Sequence, residues 1–206
     1  MKRINGKVAD KVVELGKLVL QFARVNRITL YEDGVTPESD TDHTVMLSLI
    51  ACAVASEYKK DLDLGLVAQF ALVHDFVEVY TGDIPNIHGK MIDKRHLKKK
   101  ELEQKALKRL EKNFKKVLPW LSKTIKKYEK MDTKEARFVK ILDKAMPKIT
   151  HSLNKMKALK IRGFDKKMAE DTLRDQIISI EKSYGKDQKE AIDIMKLLAK
   201  KSLSAF

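Results

Sequence analysis

Cysteine is nearly absent from these 206 residues: Cys52 stands alone, between Ala51 and Ala53. A lone thiol can neither close an intrachain disulfide nor supply a cysteine-based zinc site, and it suits a reducing compartment. Long apolar runs are missing too. No hydrophobic stretch approaches the roughly eighteen residues of a membrane span. The opening Met-Lys-Arg-Ile-Asn-Gly carries no apolar segment, so the expectation is a chain with no membrane anchor or secretory leader, placed in the cytoplasm. Proline (four) and glycine (eight) are scarce, while Leu, Ala, Lys and Glu abound, which favours helix throughout.

What is present is enough for a core: 43% of residues are hydrophobic, which argues against disorder. The formal charge of +14 is unevenly spread. Residues 1–88 carry nine Lys or Arg against thirteen Asp or Glu, a net of −4, and residues 89–206 carry a net of +18. Such asymmetry can guide small anions to a cleft or attract nucleic acid. Aromatics are only 6% of the chain and rarely interleave with the lysines, so the stacking half of a single-strand surface is weak. The plainer reading is a solvated lysine-rich face.

The periodicity predicts an all-α chain. A first amphipathic helix spans about Asn5 to Asn26, followed by a loop from Arg27 to Thr41 with turn formers Asp33-Gly34 and Pro37 and room for a short hairpin. A second helix, capped by Thr41 or Asp42, runs to about Lys60. A third, Leu64 to Tyr80, is apolar on nearly every side and reads as the buried central helix. An irregular stretch, Asn86 to Lys90, precedes a long helix from Ile92 to Val117. Pro119 breaks the pattern. A new helix starts at Asp132 or Thr133 and is kinked or ended by Pro147. Gly163 marks a further break, with helices from Asp165 to Ser183 and from Lys186 to Lys201. The expected organisation is one domain over 1–206, with 164–206 a C-terminal helical extension packed on the core. No convincing strand run is seen.

One stretch stands out chemically. Leu72 to Pro85 holds His74, Asp75, Glu78 and Asp83 inside an apolar run. Buried ionisable groups are costly unless paired or bound to a metal. At helical spacing His74, Asp75 and Glu78 can address one site. One helix cannot close a metal shell, so further donors must come from elsewhere. His43 lies in the first turn of the second helix, and Asp143 sits on an apolar face between Val139 and Met146. Each alone has an ordinary explanation, a cap for His43 and an ion pair with Lys140 or Lys144 for Asp143. Together they complete a two-histidine, two-aspartate shell, suited to Mn, Co, Fe, Ni or Zn, with Mg more at ease among oxygens only. His88, His96 and His151 lie in polar or lysine-rich settings and read as solvent-facing. No serine or cysteine lies beside the cluster, so direct attack by water is preferred to a covalent intermediate.

His43, the pair His74-Asp75 and the distant Asp143 resemble the signature of the HD superfamily of metal-dependent phosphohydrolases. His74-Asp75-Phe-Val-Glu78-Val-Tyr-Thr-Gly82-Asp83-Ile-Pro85 resembles the bacterial HD-type 5'-deoxynucleotidases. Asp40-Thr-Asp-His43-Thr44 and Glu135-Ala-Arg-Phe-Val-Lys140-Ile-Leu-Asp143-Lys144 are similar to the same group's flanking segments. The resemblance implies an HD-domain helical bundle with additional C-terminal helices, a homodimer, and a divalent metal held by His43, His74, Asp75 and Asp143. It implies that Glu78 positions the attacking water, that Asp83 contacts the sugar and assists protonation, and that Arg27 holds the phosphate. The family often has tryptophan directly after this arginine, where this chain has Ile28. The implied reaction is hydrolysis of a nucleoside 5'-monophosphate, a deoxynucleotide by preference. Two alternatives stand beside it: a nucleoside triphosphate hydrolase, and a nucleic-acid-binding or regulatory protein on an HD scaffold.

Overall fold

Four helices meet around the apolar run that begins at Leu62, and the rest of the chain is hung on them. The computed structural model describes residues 3–85 and 97–206. In chain order the elements are α1 (Gly6–Phe22), strands β1 (Asn26–Leu30) and β2 (Pro37–Ser39), α2 (Asp40–Tyr58), α3 (Leu64–Val73) and the single turn α4 (Glu78–Thr81). There follow α5 (Lys99–Phe114), α6 (Trp120–Glu129), α7 (Lys134–Leu153), the short α8 (Lys157–Lys160), α9 (Lys166–Tyr184) and α10 (Lys189–Ser204). Among the described residues the architecture is a predominantly α-helical bundle with one small hairpin. The irregular stretch expected at Asn86–Lys90, the start of the long helix at Ile92, and His88 and His96 lie outside the described residues.

Local chemistry sets the helix starts. Ser39 caps α2 in a reciprocal box with Asp42, two residues earlier than the expected Thr41. Asp63, Thr133 and Asp165 cap α3, α7 and α9 through side-chain oxygens. The first helix stops at Phe22, four residues short of the expected end, because Asn26–Leu30 pairs antiparallel with Pro37–Ser39. Asp33 organises the hairpin turn by accepting from the backbone N–H groups of Val35 and Thr36. Gly34 adopts φ 68°, and a Cβ there would also meet the Lys157 side chain at 3.0 Å, so this position needs glycine.

The main core joins Leu47, Ala51 and Ala55 of α2, Val67, Phe70 and Ala71 of α3, Phe138, Val139, Ile141 and Leu142 of α7, and Ala191, Ile192 and Met195 of α10. The alanines of α2 let α3 approach closely. Truncating a fully buried Phe138 to alanine in such a setting costs about 3–5 kcal/mol. A second cluster gathers Leu18 and Phe22 of α1, Phe76 and Val77, and apolar residues of α5 and α6. Phe22 meets Phe76 edge-on at 5.3 Å, tying the first helix to the segment after α3.

Two features differ from the expected helices. Pro147 does not end α7, which runs on to Leu153. The buried third helix stops at Val73, and His74–Val77 form tight turns before α4. Phe76 N–H donates to the Val73 carbonyl at 3.1 Å and Glu78 N–H to that of Asp75 at 2.8 Å, the three-residue spacing of a tightened helix. The His-Asp pair therefore stands at a helix break.

Candidate metal centre

The break after α3 aims His74 and Asp75 at α2 and α7. His74 donates from Nδ1 to the Ala71 carbonyl at 2.8 Å, which turns Nε2 toward the cluster. That Nε2 is buried and has no hydrogen-bond partner among the described residues. It lies 3.0 Å from Asp75 Oδ2 and 3.7 Å from Asp143 Oδ1. His43 arrives from the first turn of α2, its Nε2 3.1 Å from Asp143 Oδ1. One donor atom from each of His43, His74, Asp75 and Asp143 falls within 4.8 Å of the others. Metal–ligand bonds of about 2 Å place donors on one ion about 3–4 Å apart, so the widest pair needs to close by less than about 2 Å to share an ion. The orphaned Nε2 of His74 and the mixed nitrogen and oxygen donors both suit a divalent ion, and these four side chains are able to coordinate one.

Charge at the cluster is set by its neighbours. Burial alone would push the Asp143 carboxyl up, but Lys144 at 2.9 Å and Lys140 at 3.5 Å, with the His43 hydrogen bond, hold it well below the usual range. The ion pairs with Lys140 and Lys144 are thus real, and they coexist with the cluster. Asp75 is likewise favoured upward by burial and held well below by His74 and Arg27. Burial opposes a proton on His43, yet Asp143 and Glu38 raise its affinity for one. Glu38 lies 3.6 Å from His43 Nδ1 and is itself bonded by the Thr29 hydroxyl, so the hairpin supplies a support behind the first histidine.

The structure also brings Arg27, Glu78 and Asp83 to this place. Arg27, on β1, is held by Asp40 at 3.1 Å and Asp75 at 3.2 Å. Burial works against its charge, but Asp75, Asp83, Asp143 and Asp40 raise its pKa and keep it protonated. Asp40 is fully buried and pushed up to about 7 by that burial, against the pull of Arg27. Glu78 is buried and raised well above the usual carboxylate range by burial and by the Asp75 charge, with Lys99 at 3.3 Å opposing. Asp83 follows Gly82, whose φ of 67° turns the chain, and it too is raised by burial.

Arg27, His74, Asp75, Glu78 and Asp83 line a cleft of about 390 Å³ that continues between α7 and α9, while His43, Glu38, Asp40 and Asp143 lie behind it. Its walls include Lys99, Lys140, Lys144, Lys148, His151, Phe164, Leu173 and Gln176. The sequence reading gave no role to most of these. Lys140, Lys144 and Lys148 recur every four residues around Asp143, a signal available in the sequence. Lys99 and Gln176 carried none, and Asp40 entered only as the first residue of the segment leading to His43. The expectation for His151 is corrected: it is only 7% exposed, turned inward by the face of α7 that carries Asp143 and Lys148.

Among known proteins, the HD domain family model matches residues 20–179. No curated protein matches the chain. A Magnetospirillum magnetotacticum MS-1 protein described as a predicted metal-dependent phosphohydrolase superposes with a TM-score of 0.72 at 22% identity, over 97% of this chain and 97% of that one. A conserved hypothetical protein from Pyrococcus furiosus gives 0.60 at 24% identity, over 91% of this chain and 99% of its own. A Pyrococcus horikoshii OT3 protein gives 0.60 at 23%, over 94% and 99%. These likenesses show a shared fold. With the family match extending over most of the sequence and its four donor side chains gathered in one buried cluster, the chain belongs to the HD-domain family and carries the fold of its metal-dependent phosphohydrolases.

Proposed function

We propose that this protein hydrolyses a nucleoside 5'-monophosphate to nucleoside and phosphate, with a divalent ion held by His43, His74, Asp75 and Asp143. The observation that carries the reading is that Arg27, buried Glu78 and half-buried Asp83 share one cleft with His74 and Asp75 of a four-donor cluster. The Magnetospirillum magnetotacticum protein's description as a predicted metal-dependent phosphohydrolase supports it. A bound divalent ion polarises phosphoryl oxygens and acidifies water.

The chain's own residues divide the remaining work. Arg27 presents its planar fork to the phosphate, and its two carboxylate partners fix that fork in place. Glu78, three residues beyond Asp75, orients the attacking water and accepts its proton. Its raised proton affinity makes it a better base than a free carboxylate. Asp83, also raised, holds a proton for the departing ester oxygen. The preference for a deoxynucleotide rests on the motif resemblance around His74 and Asp83. The homodimer rests on the same resemblance and is read by sedimentation. Among the described residues no helix is long and apolar enough to cross a membrane.

A triphosphate is less suited, because Lys140 and Lys144 are committed to Asp143 and leave few cations for additional phosphates. The test is a screen of ribo- and deoxynucleoside mono-, di- and triphosphates on chelated protein, with Mn, Co, Mg, Ni or Zn added back. Inorganic phosphate released from monophosphates is the expected product. Release of pyrophosphate or triphosphate would favour the triphosphate hydrolase. No hydrolysis with any metal, together with salt-sensitive retention on nucleic acid, would favour the binding protein.

A further inference from the structure

The cleft is much longer than a phosphate needs. α9 runs antiparallel to α7 along it: Arg137 bonds Asp187, three residues past the end of α9, at 2.7 Å, and Lys148 donates to Gln176 Oε1 at 2.6 Å further along. Reading down α7 from the metal cluster, Asp143 is followed by Lys144, Lys148 and His151. The eight residues from Asp143 to His151 span roughly 12 Å of helix. At that far end the wall is apolar, with Leu159, Phe164 and Leu173, all 7–9% exposed, lining the cleft.

Its polar groups are unusual for a structural core. His151 is buried, lines the cleft, and its Nδ1 has no hydrogen-bond partner among the described residues. Gln176 gives its carbonyl oxygen to Lys148, which leaves the amide N–H groups as donors. Lys148 itself is 1% exposed and also donates to the Lys144 carbonyl at 2.7 Å.

We propose that this end of the cleft, between α7 and α9, receives the base of the nucleotide, with Phe164, Leu159 and Leu173 as apolar surface and His151 and Gln176 as hydrogen-bonding readers. The proposal rests on the nucleotide reading above and adds where the base lies. A planar heterocycle with an apolar face and polar edges matches a pocket of this composition. A second phosphate does not. Burial lowers the Lys148 pKa to about 7 and that of His151 to about 4, so neither is a dependable cation near neutral pH. Lys140 and Lys144 stand nearer the cluster and already face Asp143.

The test uses the full chain and the fluorescent probe 2-aminopurine riboside 5'-monophosphate, with inorganic phosphate as the competing anion. Gln176→Glu keeps an acceptor for Lys148 but removes the amide donors. Thr172→Phe plugs the far end from half-buried Thr172 on the first half of α9. Each variant is expected to weaken probe binding about tenfold, the scale of one lost buried hydrogen bond, while the inhibition constant of phosphate stays within twofold. Unchanged probe affinity in both variants, with nucleotide hydrolysis intact in the wild type, would overturn the subsite and leave the nucleotidase reading standing. A wild type that binds the probe tightly, loses it on substitution, yet never hydrolyses it would support the subsite and overturn that reading. Failure of the wild type to bind the probe while it hydrolyses p-nitrophenyl phosphate would overturn both.

Discussion

His43 Nε2 lies 3.1 Å from Asp143 Oδ1, one hundred positions further along the chain. Both side chains are essentially without solvent contact. Neither α2 nor α7 needs a charged or polar group at that point for packing, and burying each alone would be unfavourable by several kcal/mol. Their meeting beside His74 is what gives the cluster its chemistry.

The first prediction follows from that meeting. Manganese or cobalt added to chelated protein should raise its melting temperature. At a free concentration a hundredfold above Kd, linkage supplies about 2.7 kcal/mol, or a shift of about 5–10 °C for a chain of this size. Asp143→Asn preserves shape and removes the charge, and its melting temperature should no longer respond. An equal shift in wild type and variant, read by calorimetry, would remove Asp143 from the shell.

Arg27 and Asp40 form a second pair whose members depend on each other. Arg27→Ala should lower kcat/KM on a monophosphate by at least about a hundredfold, since the charged fork on the phosphate is lost. It should also destabilise the fold, because it leaves Asp40 buried without its cation. Combining it with Asp40→Asn should recover about 1–3 kcal/mol of that stability and none of the activity. Arg27→Lys should rescue only partly, as a point charge cannot reproduce two-pronged contact. Strictly additive stabilities in the double-mutant cycle would contradict the pairing.

Glu78 gives a separate handle, since it lies beyond the four metal donors. Glu78→Gln should keep the metal-induced melting shift while kcat falls about 10²–10⁴-fold. A base must be unprotonated to act, so the acid limb of the pH–rate profile should follow this carboxyl. Lys99 opposes the upward shift that burial and Asp75 impose on it. Lys99→Met should therefore move the acid limb to higher pH. A limb that stays in place would mean that Glu78 does not set it.

Much of this was legible because burial of polar groups inside an apolar run is a signal of its own. His74, Asp75 and Asp143 stand out against Val73, Phe76, Val139 and Met146 in the bare sequence. The hairpin was legible only in its turn: Asp33-Gly34 and Pro37 left room for one, but neither strand showed as a run. Asn26–Leu30 is five residues with mixed polarity, and its pairing is fixed by a Gly34 turn and by Glu38 reaching Thr29 and His43, contacts made across space. The break at His74 was hidden for the opposite reason: helical periodicity continues through it, and only the His74–Ala71 bond and the tightened turns reveal it. His151 misled through its neighbourhood. The lysines near it in sequence suggest solvent, yet Lys148 itself turns inward to Gln176, and α9 covers the face they share.

That covered histidine yields the last prediction. Burial, aided by the nearby Lys148, lowers the His151 pKa to about 4, against 6.5 for an unhindered imidazole. The unfolded chain thus takes up a proton between these values while the folded chain does not, and stability falls as acidity rises. The contribution is fully present above pH 6.5, shrinks as pH drops toward about 4, and is constant below that. The size is at most about 3 kcal/mol. His151→Gln removes the titration while keeping a polar side chain of similar reach. Denaturant unfolding of wild type and variant from pH 8 to pH 4 should give a stability difference that is flat above 6.5 and moves in favour of the variant below it. Parallel curves across the whole range would show that His151 takes up its proton in the folded chain as easily as in the unfolded one.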